Sequence, residues 1–139
     1  MAATVGKMGV VMKISFIVCF YVIGSIATAW AQQKQPINAA EMKLLLANGL
    51  AVNSSDLQGG KEFTGRVNLE PGGGISGTLT VVGHGQVALS GTWKLRGAQL
   101  CRTLEPIEPN EVCETWLRTG PKRAIIQVGG RETSINNWQ

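Results

Sequence analysis

Apolar and polar residues alternate between residues 63 and 95, where one seven-residue pattern occurs three times. Each copy reads apolar, Ser or Thr, Gly, polar, apolar, polar, apolar, and the copies occupy residues 63–69, 75–81 and 89–95. A period of two is typical of strands with one face buried and one face in water. The close spacing of the copies is typical of consecutive antiparallel strands. The pattern therefore predicts a β-meander with a glycine on the buried face of each strand.

Four later segments also have the composition of strands. They are residues 99–104, 112–119, 122–128 and 132–138. Glycine-containing turns at residues 71–74, 83–85 and 129–130 separate several of these strands. A curved antiparallel sheet of about seven strands tends to close into a small barrel or to fold over a helix, because open edges invite aggregation. We therefore predict a mainly β fold.

One short helix is predicted before the strands. Asn38 is a favoured N-cap residue, and Glu41 three positions later completes a capping-box pair. Met42 and Leu46 fall on one helical face, and Gly49 can end the helix in the left-handed conformation. An amphipathic helix that binds a partner is one interpretation. We favour a helix that covers an open sheet edge or the end of a barrel.

Two segments are predicted to be irregular. Residues 32–37 are mostly polar and read as a flexible lead-in to a single small domain at residues 38–139. Residues 51–60 are rich in Ser, Asn, Asp and Gly, which favours a loop.

Residues 1–31 have the features of an export signal. Lys7 and Lys13 provide a positive start before an uncharged, largely apolar stretch, and Ala29-Trp30-Ala31 matches the small-x-small pattern that a signal peptidase cuts. We predict cleavage after this tripeptide and a periplasmic or secreted location, with either Met1 or Met12 as the start. The alternative is a membrane anchor that is retained.

Removal of the predicted signal changes the composition of the chain. It leaves 108 of the 139 residues, enough for one small domain with a modest core. Two of the 13 basic residues leave and all 9 acidic residues stay, so the net charge falls to about +2. No run of Lys or Arg remains, and nucleic-acid binding is not expected.

Two cysteines remain after cleavage, because Cys19 leaves with the signal. Cys101 and Cys113 flank a proline-containing connection, and two cysteines in a small exported domain usually pair. We predict a disulfide between them. A metal site is the weaker alternative, since the chain has no CxxC and His84 is its only histidine.

Glutamates are concentrated around the same connection, with Arg102 and Arg118 close enough in sequence to offset them. The glutamates are Glu105, Glu108, Glu111 and Glu114. They could form an acid pair or a cation site, but we favour a solvated loop rim. The three tryptophans that remain after cleavage could line a pocket, and we favour a role in the core. They are Trp93, Trp116 and Trp138. As possible binding residues we select Trp93, Trp116, Arg102 and Glu114.

The chemical motifs in the sequence do not point to catalysis. Gly72-x-Gly74-x-x-Gly77 matches the dinucleotide-binding pattern, but a strand follows it instead of a helix, so we interpret it as a hairpin turn. His84 lies between glycines and is predicted to be exposed in a turn. We predict no catalytic residue, metal or cofactor. A hydrolase that uses Glu114 or His84 is the alternative.

Four segments resemble a known group of proteins. They are the helix at residues 39–46, Gly91-Thr92-Trp93, Leu100-Cys101-Arg102 and Cys113-Glu114-Thr115-Trp116. They resemble small exported proteins of unknown function from rhizobia and related alphaproteobacteria. The resemblance covers nearly all of residues 38–138, implies a periplasmic or secreted bacterial protein, and brings no catalytic residues. The chain is also similar, more weakly, to the small disulfide-bearing β-barrel inhibitors that bacteria export against proteases, although their cysteine pair lies nearer the mature N-terminus.

These observations together predict an exported, non-catalytic β-domain that binds an envelope protein or a small ligand. Inhibition of an exported hydrolase is the most specific version of this hypothesis. Neither nucleic acid nor, once the signal has been cleaved, a membrane is an expected partner.

Overall fold

The computed structural model describes residues 33–139, and the predicted export signal lies outside the described residues. The elements of this range, in chain order, are β1 (Gln35–Pro36), α1 (Ala39–Leu46), β2 (Leu50–Asp56), β3 (Phe63–Leu69), β4 (Gly74–Val81), β5 (Gly85–Arg96), β6 (Gln99–Glu105), β7 (Glu108–Gly120), β8 (Arg123–Val128) and β9 (Arg131–Trp138). No helix in this range is long and apolar enough to cross a membrane.

Strands β2 to β9 form a closed antiparallel barrel of eight strands. Each strand pairs with the next along the chain, and β9 returns to pair with β2, which closes the barrel. β1 is an extra strand that pairs with β7 at Leu117 and Arg118, beyond the residues of β7 that pair with β6. The prediction of a mainly β, meandering fold with a preceding helix is therefore confirmed.

The glycines of the three repeats lie where a neighbouring strand comes very close. A Cβ atom on Gly91 would overlap the carbonyl oxygen of Thr103 on β6, and a Cβ atom on Gly77 would overlap that of Arg66 on β3. Any larger residue at either position would push two paired strands apart. Because the strands can approach this closely, the sheet can curve tightly enough to close.

Helix α1 lies against one end of the barrel. Its capping box is formed, with Glu41 N donating to Asn38 Oδ1 at 2.9 Å and Asn38 N donating to Glu41 Oε2 at 3.2 Å. Met42 and Leu46 are buried in the same hydrophobic core as Trp116. The predicted helix, its cap and its buried face are all confirmed, and we call this end of the barrel the closed end.

The structure differs from the sequence prediction in two segments near the N-terminus. The prediction of a loop at residues 51–60 is wrong for residues 51–56, because Leu50–Asp56 forms β2, whereas residues 57–60 do lie in the connection to β3. This strand pairs with β3 on one edge and β9 on the other, which satisfies its backbone groups despite its polar composition. In the predicted flexible lead-in, Gln35 and Pro36 form β1, and the backbone N–H of Ile37 donates to Trp116 O at 2.9 Å.

The predicted disulfide is confirmed. Cys101 on β6 and Cys113 on β7 are directly paired across the hairpin and joined by a disulfide bond. Glu111 lies on the same outer face of β7 and pairs with Lys94 at 2.9 Å and Arg96 at 2.8 Å. The bond therefore links the two strands that flank the proline-containing connection.

Replacing both cysteines with alanine, in the variant C101A/C113A, is expected to lower the free energy of unfolding by about 3 kcal/mol on the chain-entropy model. The bond joins residues 12 positions apart and so restricts the unfolded chain. Urea titration of the oxidised protein and the variant measures the difference. Wild-type protein reduced before the titration is the control and should unfold near the variant's midpoint. Equal midpoints for the oxidised wild type and the variant would contradict this prediction.

Candidate functional site

The barrel end opposite α1 leads into an internal cavity. A cavity of about 360 Å³ lies at this end, and a deeper one of about 60 Å³ lies below it. Both are lined by Ser54, Val67, Arg102, Leu104 and Ser134, so they are the outer and inner parts of one barrel interior. We call the part of about 360 Å³ the outer cavity, the part of about 60 Å³ the inner cavity, and this end of the barrel the open end.

The wall of the outer cavity is divided by chemical character. Its apolar side comes mainly from the neighbouring strands β3, β4 and β5. The side chains are Phe63, Val67, Leu79 and Leu89, with Leu104 and Ile107 beside them. Its polar side comes from β6, β7, β9 and β2. Those side chains are Arg102, Glu108, Thr133, Ser134 and Ser54. The division follows the order of strands around the barrel.

A charged cluster lies on the polar side of this interior. Arg102 Nε donates to Glu114 Oε1, and Arg102 Nη1 donates to Glu108 Oε2 at 2.5 Å. The other oxygen of Glu114 accepts a hydrogen bond from Trp116 Nε1 at 3.1 Å. The Glu114 side chain is 5% exposed, that of Arg102 16% and that of Glu108 44%. The cluster therefore runs from the buried interior to the open end.

Arg102 keeps its positive charge in this setting. Burial lowers the pKa of Arg102, but the charges and hydrogen bonds of Glu114 and Glu108 outweigh burial, and the pKa lies above the usual value for arginine. One guanidinium therefore faces two carboxylates.

Asp56 holds the connection between β2 and β3 at the open end. Its carboxylate accepts hydrogen bonds from the backbone N–H groups of Gln58, Glu62 and Phe63 at 2.7, 2.8 and 3.1 Å. The hydrogen bond from Glu62 is the main reason that the pKa of Asp56 is lowered, against the opposing effect of burial. An ionised Asp56 therefore orders one side of the cavity's rim.

Three apolar side chains are exposed in the connections at this end. Leu57, Val82 and Ile107 lie in the β2–β3, β4–β5 and β6–β7 connections, and we call them the apolar rim. Val82 N donates to Glu62 O at 2.9 Å, which joins two of these connections. Of these three residues, Ile107 also lines the outer cavity.

The structure brings together three of the four predicted binding residues. Trp116, Arg102 and Glu114 all line the inner cavity. Trp93 does not join them, because its indole N–H donates to Glu70 O at 2.8 Å at the closed end of the barrel. The ring centres of Trp116 and Trp138 are 5.9 Å apart, and both residues lie in the core.

The interpretation of the glutamates as a solvated loop rim is wrong for Glu114, which faces the buried interior. The reason is that β7 begins at Glu108, so alternate side chains of this segment face opposite sides of the sheet. Glu108 and Glu114 line the barrel interior, while Glu111 pairs with cations outside it. Glu105 and His84 are exposed.

Four polar residues that line the two cavities were not predicted from the sequence. They are Ser54, Thr133, Ser134 and Asn136. Ser54 lies in the segment predicted as a loop, and Ser134 lies on β9, which pairs with that segment. Ser54 lies two positions after Val52, and Ser134 lies two positions before Asn136, a spacing that places each pair on one face of its strand. Only the closing β2–β9 pair shows that both faces line the same interior.

One group of side chains has the spacing of metal ligands. The ligand atoms of Cys101, Glu111 and Cys113 lie within 4.8 Å of one another. Each sulfur is bonded to the other in the disulfide, and Glu111 is paired with Lys94 and Arg96. In this oxidised form the group does not offer the free thiolates that a metal requires.

The interior of the barrel is thus a candidate binding site with an apolar side, a polar side and access from one end. Apolar walls with a few placed polar groups are typical of sites for small molecules. Comparison of the chain with protein-family models, curated proteins and solved structures found no match.

Proposed function

We propose that this chain is an exported, non-catalytic barrel that binds a small amphipathic molecule in its outer cavity. The observation that carries the proposal is the cavity of about 360 Å³, whose apolar side faces the Arg102–Glu108 pair. Sites for small molecules usually have volumes of about 300 to 1,000 Å³. The cavity therefore suits a compact ligand of mixed polarity.

The surroundings of the candidate acid and base support a non-catalytic role. Both carboxylate oxygens of Glu114 accept hydrogen bonds, from Arg102 and Trp116. His84 is exposed in the turn between β4 and β5 and does not line either cavity. A general base must lie within hydrogen-bond distance of the proton that it moves, and a partner must orient it. Both oxygens of Glu114 are already hydrogen-bonded and His84 lines neither cavity, so the hydrolase alternative gains no support from the described residues.

Export is supported by the signal-like composition of residues 1–31 and by the disulfide, because disulfides persist in oxidising compartments. We expect the protein in the periplasm or the medium of its native host, beginning at Gln32. Fractionation followed by intact-mass measurement tests both expectations. A mass that retains residues 12–31 would overturn cleavage, and recovery from the cytoplasm would overturn export.

Binding in the cavity is testable with the neutral fluorophore N-phenyl-1-naphthylamine. We expect saturable binding with one site per chain. Leu89→Trp should abolish it, because Leu89 lines the outer cavity and the indole would occupy the space. Ser90→Trp is the matched control, since Ser90 is the next residue of β5 and is exposed on the outer face. Absence of saturable binding, or equal binding by Leu89→Trp and wild type, would refute the proposed function.

The apolar rim favours a second candidate, in which the open end binds a protein such as an exported hydrolase. Leu57, Val82 and Ile107 are 44%, 60% and 44% exposed, and a group of exposed apolar residues is typical of an interaction site. Affinity purification from the native host, with wild type and with all three residues changed to serine, tests this candidate. This candidate would be contradicted if no envelope protein is recovered with the wild type, or if the same envelope protein is recovered with both forms.

A further inference from the structure

We infer that the molecule bound in the outer cavity carries one positive charge on an amine, and that the Glu108 carboxylate binds this amine. The inference rests on the proposed function and adds the chemical class of the ligand.

The charges that line the interior are the first part of the argument. Among the residues lining the two cavities, Arg102 is the only cation, while Glu108 and Glu114 are both anions. Arg102 is hydrogen-bonded to both carboxylates, so the three side chains carry a net charge of −1. A ligand with a single positive charge would bring the occupied interior to neutrality. Neutrality favours binding, because an unbalanced charge becomes costly once water is removed.

The position of Glu108 is the second part. Glu114 is buried and both its oxygens are used, whereas Glu108 uses only Oε2 within the described residues, to accept from Arg102. The Glu108 side chain is 44% exposed at the edge of the outer cavity. A ligand that fills the cavity would displace water from the remaining oxygen. An ammonium group on the ligand would replace that water with a charge-assisted hydrogen bond.

The same cluster disfavours an anionic ligand. A carboxylate placed against Arg102 would share one guanidinium with two carboxylates that are already bonded to it. The net charge of the site would then change from −1 to −2 in a partly water-excluded space, which opposes binding. The apolar side, with Phe63, Leu79 and Leu89, faces this cluster and suits the aromatic or short aliphatic body of an amine.

A matched series of small molecules tests the inference by displacement of N-phenyl-1-naphthylamine. The series is 3-phenylpropylamine, 3-phenylpropanol and 3-phenylpropionate, which share a skeleton and carry charges of +1, 0 and −1 near neutral pH. We expect the amine to bind about 10-fold or more tightly than the alcohol, because one hydrogen bond between charged groups increases the affinity by about that amount or more. The carboxylate should bind most weakly.

Glu108→Gln should reduce the preference for the amine to less than about 3-fold, because Gln keeps the shape of the side chain and loses its charge. Glu105→Gln is the matched control, since Glu105 is an exposed acid at the end of β6 that does not line the cavity. The control should keep the full preference.

The outcomes separate this inference from the proposed function. If the neutral fluorophore binds and Leu89→Trp abolishes its binding, the cavity proposal stands. In that case, equal or tighter binding of the alcohol or the carboxylate would overturn the amine inference alone. An amine preference that survives Glu108→Gln would also overturn it. If the fluorophore does not bind in the cavity, the proposed function fails first, and the amine inference fails with it.

Discussion

Replacing Glu114 with leucine is expected to lower the free energy of unfolding by about 3–5 kcal/mol, because the change leaves a buried charge without its main partner. The Glu114 side chain is 5% exposed and that of Arg102 16%, so water cannot fully replace the lost carboxylate. Glu108 compensates only in part, since it is already bonded to Arg102 and lies at the rim. Urea titration followed by circular dichroism measures the loss.

Two further variants separate the buried charge from other effects of the change. The double variant Arg102→Met with Glu114→Leu removes both charges and should recover a large part of the lost stability, because apolar residues often replace a buried ion pair at little cost. Glu111→Leu on the outer face of the same strand should change stability much less, since Glu111 lies at the surface with Lys94 and Arg96. Equal losses for Glu114→Leu and Glu111→Leu would contradict the prediction.

Replacing Trp116 with alanine is also expected to cost about 3–5 kcal/mol, which is typical of a large aromatic side chain removed from a core. Trp116 is 1% exposed and packs against Trp138 at 5.9 Å between ring centres. The change also removes the indole N–H that donates to Glu114. The loss is measured by the same urea titration.

Trp93→Ala is the matched control for Trp116→Ala. Trp93 is only partly buried, although it also packs against the core and donates one hydrogen bond from its indole. Its removal should therefore cost less than that of Trp116. A loss for Trp93→Ala as large as that for Trp116→Ala would contradict this prediction.

The local parts of the fold were predictable because their signals lie within short segments. The alternation at residues 63–95 predicts strands β3, β4 and most of β5. The capping pair of Asn38 and Glu41 predicts the start of α1 within one residue. Each signal depends on contacts between residues that are near in sequence. Such contacts are visible in the sequence as a periodic pattern or as a capping pair.

Strand β2 was not predictable in the same way. Its residues include Asn53, Ser54, Ser55 and Asp56, which favour loops when taken alone. The strand forms because β3 and β9 supply hydrogen-bond partners on its two edges, and β9 lies some eighty residues away in the chain. No local pattern reports a partner at that distance.

The candidate site, like the fold, was predictable from the sequence only in part. The sequence supplied the residues, since Arg102, Glu114 and Trp116 were selected from their types and positions. It did not show which side of the sheet each glutamate faces, because that depends on where β7 begins and on its register with β6. A shift of one residue would have placed Glu111 inside the barrel and Glu114 outside.

The sequence by itself determined a mainly β fold with a capped N-terminal helix and a paired Cys101 and Cys113, because each of these depends on residue spacing and local geometry. Only the tertiary structure decided that the sheet closes, that α1 covers one end, and that a cavity with an Arg102–Glu108 pair occupies the other. The physical reason is that closure is set by the pairing of β2 with β9, and a cavity exists only where side chains from many strands meet without filling the space between them.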